Sequence, residues 1–250
     1  MRGAAWYCCS AVAVVLTLAA AFAQERQAAS TRHLFYVGLG LYSEPWSEND
    51  IVRLAGELQQ TSKYKVVPLI ASNVVGPERR YPVADDATIA NLVGAAAKDA
   101  GPADLVFVDI STHGSPRMLV RKVGNEEPSE MSSRELSRAL APLVGHRTVI
   151  VVSACYSGSL IRDLRAPDRI IITAARADRS SFGCGAASRH TFFGEAELRA
   201  FAQQDRSLHQ VFADIRRDVA RMERREGYTP SEPQVSVGQD MTDLYDAPLF

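Results

Sequence analysis

The sequence is short of the residues that mark several large functional classes. Only four of its 28 basic residues are lysines, no block of like charge occurs, and the formal net charge is −1. A near-neutral chain without a basic stretch lacks the electrostatic footprint of a nucleic-acid binder. No G-x-G-x-x-G or P-loop glycine pattern follows an apolar run, which excludes the usual nucleotide cradles. Cysteine is scarce, at four residues, and no C-x-x-C or H-x-x-x-H spacing accompanies it. The pattern therefore offers neither a dithiol redox motif nor a metal site, and it calls for no cofactor. Beyond the N-terminus no apolar run is long enough to span a bilayer.

The N-terminus itself, "MRGAAWYCCSAVAVVLTLAAAFAQERQ", has a positive Arg2 followed by an uncharged stretch from Gly3 to Ala23. Ala21-Phe22-Ala23 supplies an A-x-A cleavage site, so residues 1–23 read as a signal peptide. The alternative is an uncleaved anchor, because about 20 apolar residues also span a bilayer. Either reading puts the folded domain outside the cytoplasm, periplasmic or secreted, and a cleaved leader leaves no stable membrane association. Cys8 and Cys9 leave with the leader, so the mature chain keeps Cys155 and Cys184. Two cysteines in an exported protein suggest a disulfide by default.

Residues 24–32 are polar and read as a flexible lead-in; residues 33–250 read as one domain, large enough for a sizeable core. "HLFYVGLG" (33–40), "YKVVPLI" (64–70), "DLVFVDIS" (104–111), "RTVIVVS" (147–153), "RIIITAA" (169–175) and "PQVSVG" (233–238) are strand-like runs. Pro68 suits an edge strand. Helical spacing recurs in "SENDIVRLAGELQQ", with Ser47 as N-cap, and in "DATIANLVGAAAKDAG", stopped by Gly101. It recurs again in "SSRELSRALAPL", opened by the capping box Ser132-x-x-Glu135, and over Thr191–Gln204 and Ser207–Glu226. "RMLVRKV" suits a short hairpin arm. Continuous apolar strands alternating with helices predict an α/β fold with a mainly parallel six-stranded sheet covered on both faces.

Open parallel sheets bind ligands at the carboxyl ends of their strands. The third strand runs into "STHGS", which places His113 there, and the fourth runs into "SACYSG", which places Cys155 there. A right-handed crossover can make these strands neighbours, and the two side chains then face each other across the top of the sheet. Singly, His113 is most simply a turn residue and Cys155 a buried thiol. Together, at matching strand ends, they form the pair that thiol catalysis requires. A short helix starting within Tyr156–Arg162 would favour the thiolate. The amides of Gly114 and Cys155 are candidates for an oxyanion hole. Asp109, inside the third strand, either orients His113 or is a hydrogen-bonded buried carboxylate. His33, His146, His190 and His209 read as surface or strand-end residues.

"DISTHGSPRMLV" followed by "VIVVSACYSGSLI" resembles the legumain family of cysteine peptidases, within the caspase-like clan. "IITAARADRSSFGCG" continues the resemblance, with T-A-A and S-S-aromatic following the nucleophile at similar spacing. What it implies is a caspase-like three-layer sandwich and a Cys–His dyad without a third member. By position Cys155 is then the nucleophile and His113 the general acid/base. Ser153 stands where plant and animal members carry an acidic pocket residue. Ser180 and Ser181 match residues that read the side chain before the scissile bond, and Glu195 matches an acidic pocket residue. The family's pocket arginine has no counterpart in "GLYSEPWSEND", which leaves asparaginyl preference open. Cys184 falls where the family often has a cysteine without dyad chemistry, which weighs against a Cys155–Cys184 disulfide.

The implied activity is an exported cysteine endopeptidase acting on peptide or protein substrates through a Cys155 acyl-enzyme. A transamidase or ligase would use the same intermediate, and a binding protein that kept the fold without turnover is the non-enzymatic alternative.

Overall fold

A computed structural model describes residues 32–77 and 79–248. The expected leader (1–23) and all of the expected lead-in except Arg32 lie outside the described residues. The chain runs β1 (His33–Gly40), α1 (Pro45–Thr61), β2 (Lys65–Ser72), α2 (Asp86–Asp99), β3 (Leu105–Ser111), β4 (Gly114–Ser115), β5 (Met118–Arg121) and β6 (Ser129–Ser132). It continues through α3 (Ser133–Ala139), β7 (Thr148–Ser153), α4 (Ile161–Leu164), β8 (Arg169–Thr173), α5 (Phe192–Phe201), α6 (Leu208–Glu226), β9 (Gln234–Val237) and α7 (Thr242–Asp246).

Six strands form one sheet in the order β2-β1-β3-β7-β8-β9, parallel throughout except for β9, which pairs antiparallel with β8. Pro68 sits on the edge strand β2, where a missing N–H disrupts no second ladder. Side-chain alternation splits the core into two layers. Leu34 and Tyr36 of β1 join Leu54 and Leu58 of α1 and the inner faces of α5 and α6. Phe35, Val37 and Leu39 pack the other way, onto Ile89 and Val93 of α2, Leu136 of α3 and Leu164 of α4. β3, β7 and β8 are buried on both faces, which is why they read as unbroken apolar runs.

Several helix ends differ from the sequence expectation. Helix α1 begins at Pro45 with Glu44 at the N-cap, earlier than a Ser47 cap allows. Proline is preorganised for a first turn and has no amide to satisfy. Ser47 lies buried inside that turn and donates to the Tyr42 carbonyl at 2.9 Å. Helix α2 ends at Asp99, and Gly101 instead gives its N–H to the Asp104 carboxylate at 2.8 Å. The Ser132–Glu135 capping box is present at the start of α3. Thr191 and Ser207 cap α5 and α6. The hairpin arm is the middle strand of a separate antiparallel ribbon, β4-β5-β6.

Candidate active site

The crossover from β3 to β7 makes these strands parallel neighbours, with Ser111 paired to Ser153 and Thr112 N–H donating to the Ser153 carbonyl at 3.0 Å. His113 and Cys155 each lie two residues beyond that last pair. They follow neighbouring strands at the carboxyl edge of the sheet.

The β4-β5 ribbon turns His113 outward. Val120 N–H donates to the His113 carbonyl at 2.9 Å, which makes the Gly114–Leu119 pair a non-hydrogen-bonded one. The Gly114 amide therefore points away from β5, toward the ribbon's open edge. Gly114 is also a contact no larger residue could make, since a Cβ there would meet the Cys155 carbonyl oxygen at 2.5 Å.

Cys155 itself sits on a tight bend. Tyr156 follows it in the left-handed region, at φ 56°, a conformation that side-chain-bearing residues seldom adopt and that clusters at functional sites. The bend is fixed by the Tyr156 amide donating to the Arg179 carbonyl at 2.7 Å and the Ser159 hydroxyl donating to the Tyr156 carbonyl at 2.6 Å. Gly158 completes it, because a Cβ there would lie 2.8 Å from the Ala175 carbonyl oxygen. The helix expected over Tyr156–Arg162 is in fact a 3₁₀ turn, Ser157–Leu160, running into the four-residue α4. So short a helix supplies little dipole. The donors around the sulfur come from Ser181 instead, whose amide lies 3.3 Å and hydroxyl 3.7 Å from Sγ. The thiol in turn donates to the Ser181 carbonyl oxygen at 3.4 Å.

His113 stands in an aromatic clamp that the sequence reading did not identify. Tyr42 meets the imidazole edge-on at 4.4 Å between centroids and Trp46 at 5.1 Å. Trp46 donates its indole N–H to Glu44 at 2.7 Å. Burial holds the imidazole below its ordinary pKa, opposed by the Glu44 carboxylate. The ring is accordingly neutral near pH 7, ready to accept a proton. One signal for the clamp was available: two aromatic residues close together just past the first strand.

Asp109 does not orient His113. It is buried beside Tyr36, whose hydroxyl lies 2.5 Å from its Oδ2 and 2.7 Å from the Ile51 carbonyl oxygen. A tyrosine has one proton and a carbonyl can only accept, so both hydrogen bonds form together when the Asp109 carboxyl supplies a proton. Burial raises Asp109 to about 7, in keeping with that arrangement. Asp50 and Glu197 are buried in the same layer and are also pushed upward by burial.

The remaining sequence candidates fall in different surroundings. Ser153 is buried, its hydroxyl 3.0 Å from that of Thr191, which in turn donates to Asp50 at 2.8 Å. Ser180 and Ser181 are half-buried on the segment that crosses the sulfur. Glu195 lies on the first turn of α5 and pairs with Arg199 at 2.7 Å. His190 is not a surface histidine: its side chain is 8% exposed and its Nδ1 is 2.9 Å from Asp50. Cys155 and Cys184 are both free thiols. Burial raises the Cys184 pKa, and a negative Cys155 would raise it further, so the two thiols share one neighbourhood. Among the described residues, no group of three or more His, Cys, Asp or Glu is arranged to hold a metal ion.

A sheet of this order with helices on both faces is the caspase fold. Caspase-1 from Spodoptera frugiperda is similar with a TM-score of 0.55 at 16% identity, over 83% of this chain and 86% of that one. A structure described as pro-sf-caspase-1 gives 0.58 at 14% identity, over 88% of this chain and 95% of that one. The Peptidase C13 family model matches residues 83–243, and the chain belongs to that family, the legumain family of cysteine peptidases. It is thereby a cysteine-type hydrolase of peptide bonds. No curated protein matches it.

Proposed function

We propose that the chain is an exported cysteine endopeptidase with Cys155 as nucleophile and His113 as its acid/base partner. The observation that carries this reading is the register of β3 and β7, which sets the two residues at equal height on neighbouring strands. His113 takes the thiol proton as Sγ attacks the scissile carbonyl carbon. The carbonyl π electrons move onto oxygen, and the Gly114 and Cys155 amides are the donors assigned to that oxyanion. As the intermediate collapses, the C–N bond breaks and the imidazolium protonates the departing amine. Water then attacks the thioester with His113 as base, and the acid is released as the thiol reforms.

Ser180 and Ser181, half-buried beside the sulfur, are assigned to the wall that meets the residue before the scissile bond; Ser153 is left out, because it is buried with its hydroxyl on Thr191. Serine hydroxyls both donate and accept, so this wall suits an Asn or Asp side chain. Glu195 is left out of that wall, because Arg199 already engages its carboxylate. Export rests on the leader, and N-terminal sequencing of the exported protein should begin at Gln24.

A thiol-directed peptidyl probe tests the dyad under reducing conditions, across about pH 4 to 8 to bracket ordinary histidine titration. Labelling of the wild type, lost in Cys155→Ala, is expected, together with loss of peptide cleavage in His113→Ala. Absence of labelling throughout that range, or retained cleavage in either variant, overturns the assignment.

A further inference from the structure

Away from the dyad, a cleft of about 610 Å³ opens beside α1 and has no part in the chemistry described above. Three separate segments bring arginines to it: Arg53 from α1, Arg80 from the connection after β2, and Arg189 from the loop before α5. Among the described residues, the arginine ion pairs within 4.0 Å all involve other guanidiniums, so none of these three is in direct contact with a carboxylate. Glu48 and Glu57 line the cleft as well, and they too stay outside ion pairs. Three fixed positive charges thus face two negative ones in a space large enough for a small molecule.

His190 makes this more than a patch of surface arginine. Its ring lines the cleft although the side chain is over nine-tenths buried. Nδ1 is held by Asp50 at 2.9 Å, and Asp50 is itself fixed by Thr191 and Ser111 at 2.8 and 3.0 Å. A carboxylate behind Nδ1 fixes the ring and leaves Nε2 for the open side. The loop on which it sits is tied as well, by Asn49 donating to the Arg189 carbonyl at 3.0 Å. With Nδ1–H on Asp50, the ring can offer Nε2–H to an anion only as the imidazolium, and that form beside three planar guanidinium forks makes a set of donors suited to oxyanions.

We infer that this cleft is a ligand site for a small molecule bearing two or more oxyanion groups, phosphate or carboxylate, held by Arg53, Arg80 and Arg189, and by His190 as an imidazolium between Asp50 and the ligand. It is distinct from the dyad, and its occupancy does not depend on the peptidase reading.

Isothermal calorimetry at physiological salt, with pyrophosphate and citrate as probes, tests the site and separates the two oxyanion chemistries. At least one should bind with a Kd of about 1 mM or tighter. Arg80→Gln and Arg189→Gln are exposed changes that leave the core intact, and each should weaken binding about tenfold by removing a charge-assisted contact. Cys155→Ala should bind the probe as the wild type does. Binding weaker than about 10 mM for both probes, or unchanged binding in the Arg80→Gln/Arg189→Gln double variant at unchanged melting temperature, overturns the inference.

Discussion

Gly114 and Cys155 are locked together through backbone, with the space for a Gly114 side chain already occupied by the Cys155 carbonyl oxygen. The glycine beside His113 and the bend carrying Cys155 therefore cannot move independently. The position of the histidine relative to the sulfur is set by main-chain packing between β4 and the end of β7. No side-chain hydrogen bond to His113 is needed to hold it.

Gly114→Ala tests this lock. A Cβ at 2.5 Å from a carbonyl oxygen must push the ribbon or the bend aside. Forced overpacking of this kind costs about 1–3 kcal/mol, which lowers the melting temperature by roughly 2–4 °C per kcal/mol in a domain of this size. Because the displaced atoms carry both residues of the proposed dyad, kcat/KM should fall at least about tenfold, since displacements near 1 Å have large effects on reactive geometry. Wild-type kcat/KM in a folded variant would show that the contact is not a positioning one.

The strands, and the placing of His113 and Cys155 at the ends of neighbouring ones, were legible in the sequence for the same reason. β1, β3, β7 and β8 are buried on both faces, so they print as apolar runs, and "THGS" and "ACYSG" stand where those runs stop. What was hidden depends on distant contacts. Asp50 and His190 are separated by 140 positions, and nothing local to either announces the pair. The aromatic clamp depends on α1 starting at Pro45, two residues before the serine that resembles a cap. Strand β6, "SEMS", has no apolar period, since only Met131 of its four residues is buried. Ser181 was assigned to substrate recognition from its motif, and its contact with Sγ came only with the fold.

Ser181→Ala should slow alkylation of Cys155. The hydroxyl 3.7 Å from Sγ is lost while the amide at 3.3 Å remains. Losing one of two donors to the sulfur, at so long a contact, should slow the reaction by about two-fold. The rate of iodoacetamide alkylation at fixed pH measures it, with Ser180→Ala as the comparison. An unchanged rate in Ser181→Ala removes the hydroxyl from the thiol's environment.

Glu44→Gln should lower the His113 pKa further. Burial already depresses it, and the Glu44 carboxylate is the charge that opposes burial. Glutamine keeps an acceptor for the Trp46 indole N–H and removes only the charge. An NMR titration of the His113 ring in a Cys155→Ala background should move to lower pH. The acid limb of kcat/KM should follow, since the neutral imidazole is the form that accepts the thiol proton. A shift to higher pH would mean that Glu44 does not act on His113 through its charge.

Asp109→Asn should change how stability depends on pH. Asp109 has a folded pKa of about 7 against roughly 3.9 for an unfolded aspartate. Between those values the folded chain keeps a proton that the unfolded chain releases, so this group makes stability fall as pH rises from about 4 to 7. Its contribution is fully present below about pH 4 and is lost as pH passes through the folded value, an effect of up to about 4 kcal/mol. Asparagine carries no charge at any pH and can still donate to the Tyr36 hydroxyl while that hydroxyl donates to Ile51. Asp50 and Glu197 titrate in both proteins, and a charged Asp109 also raises Glu197, so the difference between variant and wild type reports Asp109 together with that coupling. Measured by urea unfolding, that difference should move in the variant's favour between pH 5 and pH 8. A constant difference over that interval would mean that Asp109 is charged in the folded protein at pH 5, with the Tyr36 hydroxyl donating to it in place of Ile51.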